Sequence, residues 1–437
     1  MDGNSEVNIG LMGLGTVGGG VAAALSGNAD AIRRKTGRTV RLRKALVRDT
    51  AKARQPVPPP GVLTTNPEDI LNDPEIQIVV EMMGGDSPAG SYLERALTAG
   101  KHVVTANKEV MSRRGPALQS LAQSQGVNLL FEASAGGGIP IVGCLMSQLL
   151  ANDIRSIRSI INGTTNYILT RMARSQTPFA EALIEAQDRG YAESDPTNDV
   201  EGIDAAYKLS VLGSLAFHQP IPHHVIHTEG ISRLAPEDFR YAAELGYAIK
   251  SLAIAVAEPD GSVQARVHPA LVPDDHLLAK VDGVYNAVEV TGDLCGQIIL
   301  HGQGAGRDAT TSAVMGDILN ILRTIDNDAG PPPMPGIAGA DDPEGLLLPI
   351  DELSSAYYLR LTCADQAGVL AQIARILGDG NISIATVIQK DTDPGSGTAQ
   401  LVITTYPSRE SDVQTALAAV AELGVVVSVN NLIRIEQ

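Results

Sequence analysis

An apolar run over residues 7–11 leads straight into Gly13-Leu14-Gly15-Thr16-Val17-Gly18, and an alanine-rich stretch of helical character follows over 21–25. Strand, glycine turn and helix in that order leave few folds open. The first two glycines let a backbone turn tightly and approach a pyrophosphate. The third lets helix and strand pack closely, and the helix N-terminus faces the phosphates. The expectation is a Rossmann-type α/β nucleotide-binding domain in which Gly13, Gly15, Thr16, Val17 and Gly18 meet a dinucleotide. A purely structural turn is the competing reading.

A second strand is expected over 39–47. At its end, where an acidic residue would receive the ribose of NAD, stand Arg48 and then Asp49. Arg48 suits the 2′-phosphate of NADP and Asp49 suits NAD, so both cofactors stay open, with NADP ahead. Residues 53–61, with four prolines, read as a loop. Further strands are expected over 76–82, 101–105 and 128–133, with a helix over 91–99. Lys108 follows the strand at 101–105, and carboxyl ends of strands in an open parallel sheet are where ligands bind. Glu132 and the glycine-rich loop Ser134-Ala135-Gly136-Gly137-Gly138-Ile139-Pro140 offer oxygens to a hard monovalent cation, although a glycine turn needing positive φ explains the loop equally simply.

Polar chemistry concentrates over residues 190–212, GYAESDPTNDVEGIDAAYKLSVL. The turn formers at its start place Glu193 on a loop, and Asp199 is expected to cap a helix carrying Asp204 and Lys208 four residues apart on one face. Spacing alone does not separate a catalytic pair from an exposed helix pair. From 141 to about 304 the pattern mixes helices with strands at 157–161, 262–268, 286–291 and 297–301, which suggests a second domain on a mixed sheet. The polar turn Asn162-Gly163-Thr164-Thr165-Asn166 lies within it and is a candidate to line a substrate site. His223, His224 and His227 read as a loop rather than a metal site. A second glycine turn, Gly302-Gln303-Gly304-Ala305-Gly306, opens a helix over 309–325 that is expected to return to the first domain.

The chain's 437 residues, net charge of −17 and pI near 4.9 argue against nucleic acid or an anionic membrane as partner. Three cysteines without zinc or redox spacing, a non-signal-like N-terminus and no apolar run of membrane-spanning length point to a soluble cytoplasmic protein. Residues 326–353, rich in proline, glycine and aspartate, read as a linker. Beyond it the elements run strand 356–362, helix 368–377, strands 382–389 and 400–405, helix 412–423 and strand 425–435. This is the ferredoxin-like βαββαβ order of a small separate domain, expected to move as a body and to be dispensable for catalysis. The expected organisation is a nucleotide-binding domain at 1–140 completed by helix 305–325, a catalytic and dimerisation domain at 141–304, the linker, and a regulatory domain at 354–437.

The segments GLGTVG, VVTANKE, EASAGGGIP, NGTTNYIL, GYAESDPTNDVEGIDAAYKL and GQGAGRDAT, in this order from residue 7 to about 323, resemble homoserine dehydrogenase. The segment Cys363-Ala364-Asp365-Gln366-Ala367-Gly368-Val369-Leu370 is similar to an ACT regulatory domain. The resemblance implies NAD(P)-dependent interconversion of L-homoserine and L-aspartate 4-semialdehyde, on the route to threonine, isoleucine and methionine, in a homodimer or homotetramer. It implies that Lys208 is the acid/base lysine, that Glu193 and Asp204 bind substrate, and that Lys108 lies between substrate and cofactor. Gly190 and Gly304 would join the cofactor site, and Glu132 with the carbonyls of Ala135, Gly137 and Ile139 would form a sodium site. It also implies an amino-acid effector, expected to be threonine. Another amino-acid dehydrogenase and a non-catalytic cofactor-sensing regulator are the alternatives, the latter disfavoured by the presence of both lysines.

Overall fold

The computed structural model describes residues 6–54, 57–325, 347–393 and 395–436, so most of the expected linker, 326–346, lies outside the described residues. The chain divides into two compact units, Met1–Ile157 with Tyr207–Val225 and Asn286–Glu344, and Arg158–Ala206 with Ile226–Tyr285 and Gly345–Gln437.

The first unit holds a parallel sheet of β1 (Glu6–Met12), β2 (Thr39–Leu46), β3 (Leu63–Thr64), β4 (Ile78–Glu81), β5 (His102–Thr105) and β6 (Leu129–Leu130), in the order β3-β2-β1-β4-β5-β6. Six consecutive residues of β1 are buried, as a strand covered on both faces requires. The helix Thr16–Gly27 follows β1, and Val314, Ile318, Ile321 and Leu322 of the helix Arg307–Thr324 join Val7, Ile9, Val21 and Leu25 in one core. The strand expected over 128–133 is reduced to β6, because the chain turns into a short 3₁₀ segment at Glu132–Ser134.

β7 (Ile154–Ile160), β8 (His227–Thr228), β9 (Tyr247–Ala257), β10 (Val263–Pro273), β11 (Tyr285–Gly292) and β12 (Gly296–Gln303) come next. β9 and β10 form a long antiparallel pair from Val263↔Ala257 to Pro273↔Tyr247. The helix expected to start at Asp199 is two helices. Thr197–Val200 ends before Gly202, whose φ of 80° lies in the left-handed region, and Ile203–Phe217 begins after it. Asp199 therefore caps neither the longer helix nor its first turn.

The C-terminal stretch has the βαββαβ order: β13 (Ser354–Ala364), helix Val369–Asp379, β14 (Ile384–Asp393), β15 (Thr398–Thr405), a short β16 (Ser408–Arg409), helix Glu410–Ala421 and β17 (Val426–Ile435). Its sheet runs β17-β13-β15-β14. It is not the separate body expected from the sequence, because β17 also pairs in parallel with β10 through Ala270↔Arg434 and Leu271↔Ile435. The physical reason is that this sheet is apolar on both faces. Tyr357, Leu359 and Ile403 pack in the core that contains Ile373 and Val413 of the C-terminal helices, while Tyr358, Val402, Ile433 and Ile435 pack with Tyr167, Phe239 and Leu271. Among the described residues no helix is long and apolar enough to cross a membrane.

Candidate active site

In the first unit the glycine turn sits at the carboxyl end of β1, beside the end of β2, where the Gly13 N–H donates to the Leu46 carbonyl at 3.1 Å. A Cβ on Gly18 would lie 2.1 Å from the Gly13 carbonyl oxygen, so only glycine lets the helix come this close to the turn. At Gly15 a Cβ would meet no heavy atom within 4 Å, and Gly15 and Thr16 are exposed at the open N-terminus of the Thr16–Gly27 helix. Val17 is half-buried in its first turn, and Arg48 is exposed just beyond β2.

Lys108 opens the helix Lys108–Ser124, whose N-cap Asn107 accepts the Val110 N–H at 3.2 Å and donates through Nδ2 to the Gly85 carbonyl at 2.7 Å. The two loops that Asn107 joins are set by Glu81, fully buried at the end of β4. Its Oε2 accepts the Thr105 hydroxyl at 2.6 Å and its Oε1 the Met83 N–H at 2.6 Å. Burial pushes the Glu81 carboxyl above the usual range against the pull of these donors. One turn beyond Lys108, Ser112 donates to Ser210 at 2.8 Å, so the Lys108 helix touches the helix that carries Lys208. Lys108 and Lys208 are both half-buried.

The loop 134–138 packs against the second glycine turn, where the Gly138 N–H donates to the Gln303 carbonyl, next to Gly304, at 2.9 Å. Ala135, Gly137 and Ile139 are buried. The Glu132 carboxylate accepts the Val142 and Gly143 N–H groups at 2.9 and 2.6 Å, and its own N–H donates to Asp317 Oδ2 at 2.9 Å. Burial raises Glu132 and pushes Asp317 up to about 8, with the Glu132 charge adding to the rise. Among the described residues no group of three or more His, Cys, Asp or Glu side chains could hold a metal, and His227 instead meets Glu229 at 2.7 Å.

In the second unit the buried Asp204 opens the Ile203–Phe217 helix. Asn162 Nδ2 donates both to Asp204 Oδ2 at 2.9 Å and to Asp199 Oδ1 at 2.8 Å. Glu193 is exposed on its loop, where its carbonyl accepts the Gln187 Nε2 donor at 3.0 Å. The same loop is tied down when Thr164 donates to the Tyr191 carbonyl at 2.7 Å, just beyond Gly190 at φ 74°. Asp204, Asp199 and Asn162 are thus brought into direct contact, while Glu193 is placed by its backbone alone. Glu81, Asn107 and Asp317 were not singled out by the sequence. The only signal for Glu81 was a carboxylate ending an otherwise apolar strand.

Comparison with known proteins finds relatives with the same order of domains. Models described as homoserine dehydrogenase, its NAD-binding domain and the ACT domain match residues 140–319, 13–132 and 357–425. A homoserine dehydrogenase of Neisseria gonorrhoeae is 42% identical over 431 residues, covering 98% of both chains. The crystal structure of a homoserine dehydrogenase from Thiobacillus denitrificans superposes with a TM-score of 0.93 at 43% identity over all of both chains. A hyperthermophilic archaeal homoserine dehydrogenase in complex with NADPH matches with a TM-score of 0.62 at 26% identity, over 72% of this chain and 97% of the other.

Proposed function

The chain belongs to the homoserine dehydrogenase family, and from that premise we propose that Lys208 transfers the proton, that Lys108 supports it, and that Glu193 and Asp204 receive the substrate ammonium. The activity is the reversible oxidoreduction that links L-homoserine and L-aspartate 4-semialdehyde. The observation that carries the assignment is the continuous helix Ile203–Phe217, which carries the buried Asp204 in its first turn and Lys208 one turn later.

A nicotinamide cofactor would supply or accept the hydride when bound. Gly13, Gly15, Thr16, Val17 and Gly18 would receive the pyrophosphate at the helix N-terminus, and Gly190 and Gly304 would extend the cofactor contacts. When hydride reaches the aldehyde carbon, negative charge grows on its oxygen. The Lys208 ammonium stabilises that charge and delivers the proton, and in the reverse direction the neutral amine removes it. Lys208→Ala should lower kcat roughly 10²- to 10⁴-fold, the usual size of a general acid/base contribution. Near-normal kcat in that variant, with a loss in Lys108→Ala instead, reverses the two roles. Arg48 favours NADP, in line with the NADPH held by the archaeal relative.

Glu132 and the carbonyls of Ala135, Gly137 and Ile139 would hold a sodium ion. Burial raises the Glu132 and Asp317 carboxyls, and a monovalent cation beside them would favour their charged forms. Sodium there would supply charge balance and loop order rather than chemistry. The ACT domain supports a small-molecule effector. A cavity of about 210 Å³ lined by Cys363, Gln366, Gly368, Gln389 and Leu401 offers backbone donors at the start of the Val369–Asp379 helix for the carboxylate of an amino acid, with threonine the first candidate. Thermal melts of the full chain check both ligands. Tm should rise in sodium over tetramethylammonium chloride at equal ionic strength, and again with millimolar threonine. An unchanged Tm removes the corresponding ligand.

A further inference from the structure

Asn162 uses its side-chain amide fully. Its Oδ1 accepts the Thr165 N–H at 2.8 Å, which caps the helix Gly163–Ser175, and its Nδ2 donates to Asp199 at 2.8 Å and Asp204 at 2.9 Å. Only this amide orientation satisfies all three partners, since a carbonyl oxygen turned toward two carboxylates would repel both. Asn162 is 9% and Asp204 5% exposed, so neither is free to trade these bonds for water. Asp199 is fixed from its other end as well, because the Thr165 hydroxyl donates to its carbonyl at 3.0 Å.

We infer that Asn162 is a positioning residue that holds Asp199 and Asp204 side by side as one ammonium-binding pair, making Asp199 a further substrate-binding carboxylate. This rests on the reading that Asp204 receives the substrate ammonium. Two carboxylates drawn onto one nitrogen repel each other, and without a shared donor they part or one takes a proton. The Asn162 amide cancels that repulsion. A carboxylate has about four lone-pair sites, and the Asn162 amide takes one on each. A primary ammonium brings three donors and a positive charge. An aldehyde or alcohol lacking the α-amino group brings neither, so the pair selects α-amino substrates.

The helix cap and the carboxylate bridge separate by mutation. Asn162→Ser keeps a cap acceptor for the Thr165 N–H and cannot bridge the carboxylates, whereas Asn162→Ala loses both functions. Tm should therefore stay near wild type in the serine variant and fall in the alanine variant. The homoserine KM should rise roughly 10- to 100-fold in both, the scale of one lost bond to a charged group, with the cofactor KM unchanged. Asn162→Asp keeps the cap and adds a third carboxyl, which can donate only when protonated, so its KM defect should ease as pH falls. A serine variant with wild-type homoserine KM makes Asn162 a cap alone and overturns the inference, and so does an aspartate variant whose defect ignores pH. Asp204→Asn is the separate control. An unchanged homoserine KM there overturns the parent reading of Asp204, while a raised KM beside a normal Asn162→Ser brings down only the role of Asn162.

Discussion

Arg48 and Asp49 compete for the same place at the end of β2, and their surroundings differ. Asp49 Oδ1 already accepts the Ala51 N–H at 2.8 Å, and the Asp49 carbonyl accepts Arg54 at 2.6 Å, so this aspartate is occupied in shaping its own turn. Arg48 stands exposed beside it. Arg48→Ala should raise the NADP KM roughly 10- to 100-fold and leave the NAD KM nearly unchanged, because only NADP brings a 2′-phosphate to a charged contact. Equal loss with both cofactors, measured by initial rates, would make Arg48 a structural residue. Residues with a motif around them, such as Gly13, Lys108 and Lys208, stand out as candidates in the sequence. Residues that act across long separations were not. Glu81 works on Thr105, Asn162 on Asp204 and Asp317 on Glu132, across 24, 42 and 185 positions, and nothing local marks such partners.

Elements with one clear period were legible for a physical reason. The Val369–Asp379 helix buries Val369, Ile373 and Leu377 at helical spacing, and β4 and β5 are short apolar runs with Ile78, Val79, Val80, Val103 and Val104 buried. β9 was missed because YAIKSLAIAVA is rich in alanine and buried on both faces, so it has neither strand composition nor alternation. The break between Thr197–Val200 and Ile203–Phe217 was missed because a single glycine within a helical pattern is usually tolerated. At Gly202 the left-handed φ decides otherwise, and a Cβ there would sit 3.0 Å from Val267 Cγ1. That break matters for the site. It places Asp199 in its own short helix, from which its carboxylate reaches Asn162 instead of capping the helix of Asp204 and Lys208.

Across the second unit, the adjacent and fully buried Tyr357 and Tyr358 show how the C-terminal sheet is covered. Two large apolar neighbours in a strand point to opposite faces, so β13 must be covered on both. One face takes the C-terminal helices and the other the core of residues 158–285. Buried charges fasten the same contact. Arg266 of β10 meets Glu436 at 2.7 Å, Arg434 of β17 meets Glu229 at 2.8 Å, and Arg360 of β13 meets Asp238 at 2.6 Å. Burial, then Arg434 and Arg266, hold His268 down at about 3, so it stays neutral and accepts Arg266 Nε at 3.1 Å. A chain ending after Asp351 would strip β10 of its partner strand and leave Arg266, Glu229 and Asp238 without these counter-charges. Breaking one buried pair costs about 3–5 kcal/mol, and whole domains are stable by only about 5–15 kcal/mol. The C-terminal domain is therefore expected to be part of the folding unit rather than a dispensable regulator. The truncated chain should aggregate or melt without cooperativity, and Glu436→Gln in the full chain should already lower Tm. A soluble, monodisperse truncated enzyme that melts near the full-length temperature would show that the contact is not needed for folding, and would return the C-terminal domain to the status of a detachable regulator.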